Sequence, residues 1–171
     1  MRRPAPNAFR LPLSWFTSRV EGGTAKLGTN TSIMRLKIQI PKSWAAQENP
    51  NGPATFCRHL SHIPGPLQVS WAEYSHGSIP NPSVQDLQRM AVEFGQKNGC
   101  GDLFESGSSS CVFGSMGTAI FRSSQHPRIQ LWFLSNGRDF INVTHICPTE
   151  PDPIEVQEAQ VIVRTLSLGV C

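Results

Sequence analysis

Charge is scarce in this chain: Asp, Glu, Lys and Arg together make up 16% of its 171 residues. With 14 Gly and 14 Pro scattered through it, that scarcity excludes a coiled coil or a bundle of long helices. No run approaches the roughly 18 consecutive apolar residues that a spanning helix needs, so a soluble chain is expected. The arginine-bearing head has no uninterrupted apolar stretch of the kind a secretory signal uses; an organellar presequence stays an alternative, although Pro4, Pro6 and Pro12 weaken the amphipathic helix that import would require. Five cysteines occur without a CxxC pair, which argues against a zinc knuckle. The glycine runs GCG and GSMG carry neither a P-loop lysine nor the dinucleotide spacing, and the serine run has no GxSxG elbow. No motif therefore fixes a reaction, and no cofactor is expected.

What is present is asymmetric. Residues 1–50 hold eight Lys or Arg against two acids, and residues 51–171 hold seven against ten. The body is mildly acidic, which argues against nucleic-acid binding by the body. Residues 1–32 read as a basic, proline-rich, flexible extension, with Trp15 and Phe16 able to dock on the body and Met34 a possible second start site. Residues 33–171 read as one domain, since the length suits a single core.

From Met34 the pattern becomes regular. Met34, Leu36, Ile38 and Ile40 alternate with polar residues, the mark of a half-buried strand ending at Pro41. Residues 47–53 read as a loop, residues 54–60 as a second strand, and Leu67, Val69 and Trp71 as alternate positions of a third. Ser83 with Asp86 resembles a capping box opening a helix whose apolar face is Val84, Leu87, Met90, Ala91 and Phe94, ended by Asn98-Gly99. A short strand at residues 102–105, a turn at residues 107–110 and a strand at residues 111–122 follow, with Gly114 and Gly117 marking a bulge or a close backbone approach.

Residues 128–135 and 138–147 flank Asn136-Gly137, the preferred type I′ hairpin pair. Asp152-Pro153 opens the last helix, with Glu155 and Glu158 facing its positive end, Ile154, Ala159, Ile162, Val163 and Leu166 as its apolar stripe, and Gly169 closing it. The order predicts an α+β fold: an antiparallel sheet of about six strands with a mid-chain and a C-terminal helix packed on it.

The segments IQIPKSW, SVQDLQRMAVEFG, LWFLSNGRDFINVTHI and EAQVIVRTLSL, in that order over about residues 33–168, resemble the PsbP-like or DcrB-like fold group. There an N-terminal strand ends in a proline-tryptophan segment, a mid-chain helix follows, and a hairpin leads to a final helix ending in a short leucine-bearing strand. The basic head and the proline-rich stretch at residues 45–66 depart from that pattern. The resemblance implies an adaptor: an extrinsic subunit, a small-GTPase binder or a secretion chaperone.

Cys57, His59 and His62 pack a thiol and two imidazoles into six residues and could hold a metal if a turn brought His62 round, because on a strand only Cys57 and His59 share a face. Cys111, or a serine of residues 106–110, could act with His126 or His145 and Asp139 as nucleophile, base and orienter. Cys100 and Cys111 could bridge in an oxidising compartment. Trp132 and Phe133 point to opposite faces of their strand, so a sheet covered on one side would expose one of them, rimmed by Arg128, Gln130, Arg138 and Asn142.

These readings converge on a cytoplasmic, non-catalytic protein-binding module. It would act by surface occlusion as a bacterial immunity protein or secretion-effector chaperone. Its partner would be a toxin, a secreted effector or a complex subunit, met partly through Glu73, Asp86, Glu93, Asp102 and Glu105. The alternatives are a hydrolase or metal-dependent enzyme using the Cys/His cluster, and an extrinsic structural subunit.

Overall fold

The computed structural model describes residues 31–33, 36–48, 52–74 and 77–169. The expectations about residues 1–30, Trp15 and Phe16 among them, and about Met34, Asn49 to Asn51 and Cys171 lie outside the described residues.

The first elements form a small sheet. β1 (Thr31–Ile33) pairs antiparallel with β2 (Leu36–Ile38), and β2 pairs on its other side with β10 (Ser167–Leu168) at the end of the chain. Thr31 and Ser32, assigned by sequence to the head, thus lie opposite Ile38 and Lys37. The main sheet has seven strands: β3 (Trp44–Gln47), β4 (Ala54–Arg58), β5 (Leu67–Ala72), β6 (Asp102–Cys111), β7 (Gly114–Arg122), β8 (Arg128–Ser135) and β9 (Phe140–Cys147), in the spatial order β3-β4-β5-β9-β8-β7-β6. Every pairing is antiparallel. With two helices, this is the expected α+β architecture.

Helix α1 (Val84–Lys97) starts where its capping box predicts: Ser83 Oγ accepts from Asp86 N–H, and the Asp86 carboxylate accepts from Ser83 N–H. It ends at Asn98, beyond which Gly99 turns into the left-handed region with φ +64°. Helix α2 (Pro153–Arg164) is capped by the Asp152 carboxylate, which accepts from Ile154 N–H. Its end is not set by Gly169 but by Thr165, whose hydroxyl donates to the Val161 and Ile162 carbonyls.

Both faces of the main sheet are covered, and two apolar clusters result. On one face α2 contributes Ala159, Ile162, Val163 and Leu166, which pack with Leu36 and Ile38 of β2 and with Trp44, Phe56, Leu67, Val69, Trp132, Leu134, Ile141 and Val143. On the other face, Leu87 and Ala91 of α1 meet Ala119, Phe121, Ile129, Leu131, Phe133 and Phe140. The helix sits so close to β7 that a Cβ on Gly117 would lie 2.1 Å from Gln88 N and Leu87 C, which confirms the close approach expected there.

Three local expectations are corrected. The serine run at residues 107–110 is no turn: it continues β6, whose register with β7 runs unbroken from Glu105↔Ile120 to Cys111↔Gly114. Gln47, read as the start of a loop, is the last residue of β3, a strand paired with β4. The hairpin between β8 and β9 is present but not as a type I′ turn, because Asn136 keeps a negative φ while Gly137 alone is positive at +93°. Instead Asn136 Oδ1 accepts from Arg138 and Asp139 N–H, and Ser135 Oγ donates to the Asp139 carbonyl. An Asx turn closes the longer loop.

Candidate functional site

The expected exposed aromatic face is not present. Trp132 and Phe133 are each 2% exposed, because α2 covers one and α1 covers the other, Phe133 meeting Phe94 edge to face at 5.5 Å. Gln130 and Asn142 are buried with them. Arg128 is half-buried and donates to Gln130 Oε1 at 2.8 Å. Of that group Arg138 is exposed, and it donates to the Tyr74 carbonyl. Glu73 and Glu93 are exposed, while Asp86 is half-buried and pairs with Arg89 at 2.6 Å.

The cysteine-histidine cluster does not close on a common point. Cys57 is buried in β4, whereas His59 and His62 are exposed in the loop that follows. Alternation along β4 turns Cys57 away from the face that carries Phe56 and Arg58. The second constellation is also dispersed. Cys111 lies at the start of the β6–β7 turn, and His126 follows the far end of β7, roughly 25–30 Å away at the rise of an extended strand. Asp139 is engaged in the β8–β9 loop, accepting from Tyr74 N–H. The length of β6 likewise separates Cys100 from Cys111 by roughly 30 Å. All four described cysteines are free thiols.

The structure does gather a different set of residues at the end of the sheet where β9 leaves for α2. His145 and Cys147 stand two residues apart on β9 and so share a face. Glu155, in the first turn of α2, meets them there. All three are buried. Glu155 Oε1 accepts from His145 Nε2–H at 3.0 Å and from Gly65 N–H at 2.7 Å. Cys147 Sγ lies 3.7 Å from His145 Nδ1 and 3.8 Å from Nε2. Among the described residues, these are the His, Cys, Asp or Glu side chains whose ligand atoms converge, all within 4.8 Å of one another.

Electrostatics assigns states to this group. Burial, and next the negative Glu155, push the Cys147 thiol up to about 12, so it stays protonated at neutral pH. For Glu155, burial works against ionisation, but hydrogen bonds from His145, Ser61 and Gly65 outweigh it and hold the carboxyl below its ordinary range. Burial also raises Cys57, Cys100 and Cys111.

A second polar network adjoins it. Arg58, 7% exposed, points from β4 to α2, donating from Nε to Glu158 Oε2 at 2.8 Å and from Nη1 to Asp152 Oδ2 at 3.2 Å. Glu158 also accepts from Trp44 Nε1 at 2.8 Å and from Ser43 Oγ at 3.0 Å. The opposing desolvation is outweighed by these bonds, and the Glu158 carboxyl is held below its ordinary range. Arg58 Nη1 reaches Ser61 Oγ at 3.3 Å, and Ser61 in turn bonds Glu155. The two networks thereby tie the β4–β5 loop to the start of α2.

Above Glu155 a cleft of about 510 Å³ opens between that loop and the β9–α2 connection, lined by Leu60, Ser61, His62, Ile63, Thr149, Glu150, Pro151, Asp152 and Glu155. Leu60 is 65% exposed and Ile63 48% exposed, so an apolar rim stands over an acidic floor. Sequence reasoning named His62 from this place but neither Arg58 nor Glu155 as site residues. The available signal was Glu155 itself, which occupies the core side of α2 four residues before Ala159, while Ile154, assigned to the stripe, is 53% exposed.

No protein-family model matches the chain, and no curated protein matches it. Among solved structures, it is similar to the solution structure of cyanobacterial PsbP from Synechocystis sp. PCC 6803, with a TM-score of 0.56 and 10% identity over 86% of this chain and 98% of that one. A protein from Bacteroides thetaiotaomicron VPI-5482 aligns with a TM-score of 0.46 and 16% identity over 79% of this chain and 45% of that one. At such identity the first likeness speaks to the fold. The chain has a PsbP-like α+β fold, as its sequence resemblance implied.

Proposed function

We propose that the chain is a non-catalytic protein-binding module that engages its partner at the cleft between the β4–β5 loop and the start of α2. One observation carries this reading: Leu60 and Ile63 present apolar side chains to solvent on a loop held in place from beneath. The Glu155–Gly65 bond and the Arg58–Glu158–Asp152 network fix the loop. A rigid loop with projecting apolar residues and a polar surround loses little entropy on binding, which favours affinity. The acidic groups Glu150 and Asp152 beside it, with the acidic balance of the body, suit a basic partner surface and would act mainly on association rate. Leu103 and Phe104 of β6 are also exposed, but the Arg122 guanidinium already lies 3.6 Å over the Phe104 ring.

The hydrolase alternative has weaker support. A cysteine nucleophile needs a thiolate, and burial moves each described thiol the other way. The roles weighed from sequence, a toxin-immunity factor or an effector chaperone acting by occlusion in the cytoplasm, are finer versions of the binding proposal. An extrinsic subunit of a larger complex is a second reading, favoured by the PsbP-like fold.

The test is affinity capture of the full chain from its host, beside a variant carrying Leu60→Ser and Ile63→Ser. A stoichiometric protein retained by the wild type and lost from the variant supports the proposal. Equal retention by both moves the binding surface elsewhere, and turnover of a small substrate by the purified chain overturns the non-catalytic reading.

A further inference from the structure

The buried group beneath the cleft has a feature that partner binding does not use. It offers one nitrogen, one sulfur and one oxygen, all within 4.8 Å of one another. His145 Nε2 and Glu155 Oε1 are 3.0 Å apart, and Cys147 Sγ lies 3.8 Å from Nε2. Zinc bonds of roughly 2.0–2.3 Å in a tetrahedron place neighbouring ligand atoms about 3.3–3.6 Å apart. Small side-chain adjustments therefore convert the observed contacts into the edges of such a site. From these separations we propose that His145, Cys147 and Glu155 form a binding site for a zinc-type divalent cation.

Three further observations support it. The ligands come from a central strand and a helix rather than from mobile segments, which limits the entropy lost in assembling them. Outer partners already orient the carboxylate, since Gly65 N–H and Ser61 both bond Glu155. The loop over the group is fitted closely to it: a Cβ on Gly65 would stand 2.8 Å from His145 Nε2 and 3.2 Å from Cys147 Sγ. Charge also balances. On binding, the His145 imidazole changes tautomer so that its proton sits on Nδ1 and Nε2 is free to ligate, the thiol gives its proton to solvent, and thiolate plus carboxylate neutralise the two positive charges in a buried place. A thiolate with an imidazole selects zinc or cobalt over calcium or magnesium, which prefer oxygen ligands. The site differs from the Cys57, His59 and His62 set considered from sequence, and it stands or falls apart from the partner-binding proposal.

The experiment strips the full chain with a chelator and titrates it with Co²⁺, followed by Zn²⁺. The expected result is one equivalent of Co²⁺ bound with a sulfur-to-cobalt charge-transfer band that one equivalent of Zn²⁺ removes. Cys147→Ser should abolish the band, Cys57→Ser should keep it, and His145→Gln or Glu155→Gln should weaken binding about ten-fold or more. Because a core variant can fail to fold, wild-type protein is also alkylated in mild denaturant with and without Zn²⁺, and protection should fall on Cys147. Absence of saturable one-to-one binding overturns the proposal. So does a charge-transfer band that survives Cys147→Ser, or protection that maps to a different cysteine.

Discussion

Gly117→Ala tests how tightly α1 is seated on the sheet. The added methyl would lie 2.1 Å from Gln88 N and Leu87 C and 2.4 Å from Leu87 O. These are helix backbone atoms, so no side chain can rotate away. To regain ordinary contact, α1 must retreat by roughly 1.5 Å, and Leu87 and Ala91, both at 0% exposure, would lose packing against Phe121 and Phe133 along with it. Overpacking a core costs about 1–3 kcal/mol. Because the obstruction is backbone and the displaced face is fully buried, the expected loss is about 3 kcal/mol, which lowers Tm by roughly 6–12 °C for a chain of this size. Gly107→Ala on neighbouring β6 is the matched control. Its methyl would meet Thr118 Cγ2 at 3.8 Å, an ordinary contact, and stability should change by less than about 1 kcal/mol. Urea denaturation followed by circular dichroism reads both variants. Equal midpoints for Gly117→Ala and wild type would refute the close seating of α1.

Other perturbations address the polar networks and the cleft. Arg58→Met removes the charge-assisted bonds to Glu158 and Asp152, whose carboxylates keep some solvent contact, and should cost about 1.5–3 kcal/mol in the same denaturation assay. Glu158 and Asp86 both have carboxyls held below the usual range in the folded chain. Their stabilising contributions are therefore complete above the unfolded carboxylate range and disappear as pH falls through the lower folded values, so the urea midpoint should drop on acidification below about pH 4. Glu158→Gln should flatten that drop. The Cys147 thiol, pushed up to about 12, should react with a thiol reagent at neutral pH only after unfolding; a fast native reaction mapped to Cys147 would contradict its burial. Leu60→Ser with Ile63→Ser removes exposed groups and should leave stability within about 0.5 kcal/mol, while partner capture is lost.

Where the fold was legible, the signals were local. The Ser83 and Asp86 box and the Asp152-Pro153 cap mark both helix starts because capping chemistry is confined to one turn. Alternation in residues 67–71 marks β5, and the run rich in Ile, Leu, Trp and Phe before Asn136-Gly137 marks β8. β6 was misread because Ser and Gly at residues 106–110 are turn formers by propensity, and their strand geometry comes from pairing with β7. β3 is short, and its Ala-Ala-Gln carries no alternating pattern, so its partner β4 decides it. The burial of both Trp132 and Phe133 follows from two helices lying on opposite faces, a tertiary fact. The buried site escaped for the same reason: His145 and Cys147 are two positions apart, but Glu155 reaches them across the β9–α2 turn. A carboxylate on the apolar side of α2, where a hydrophobe belongs, was the trace it left in the sequence.

The central claim is that the cleft bordered by Leu60 and Ile63 is where this protein meets its partner. Hydrogen–deuterium exchange of the full chain, alone and with the captured partner, tests it most directly. The account predicts slower exchange concentrated in residues 59–66 and 148–155, with the edge strand β6 unchanged. Protection that falls on β6, or on the outer face of α1, and leaves the cleft loops exchanging at their free rate would contradict it.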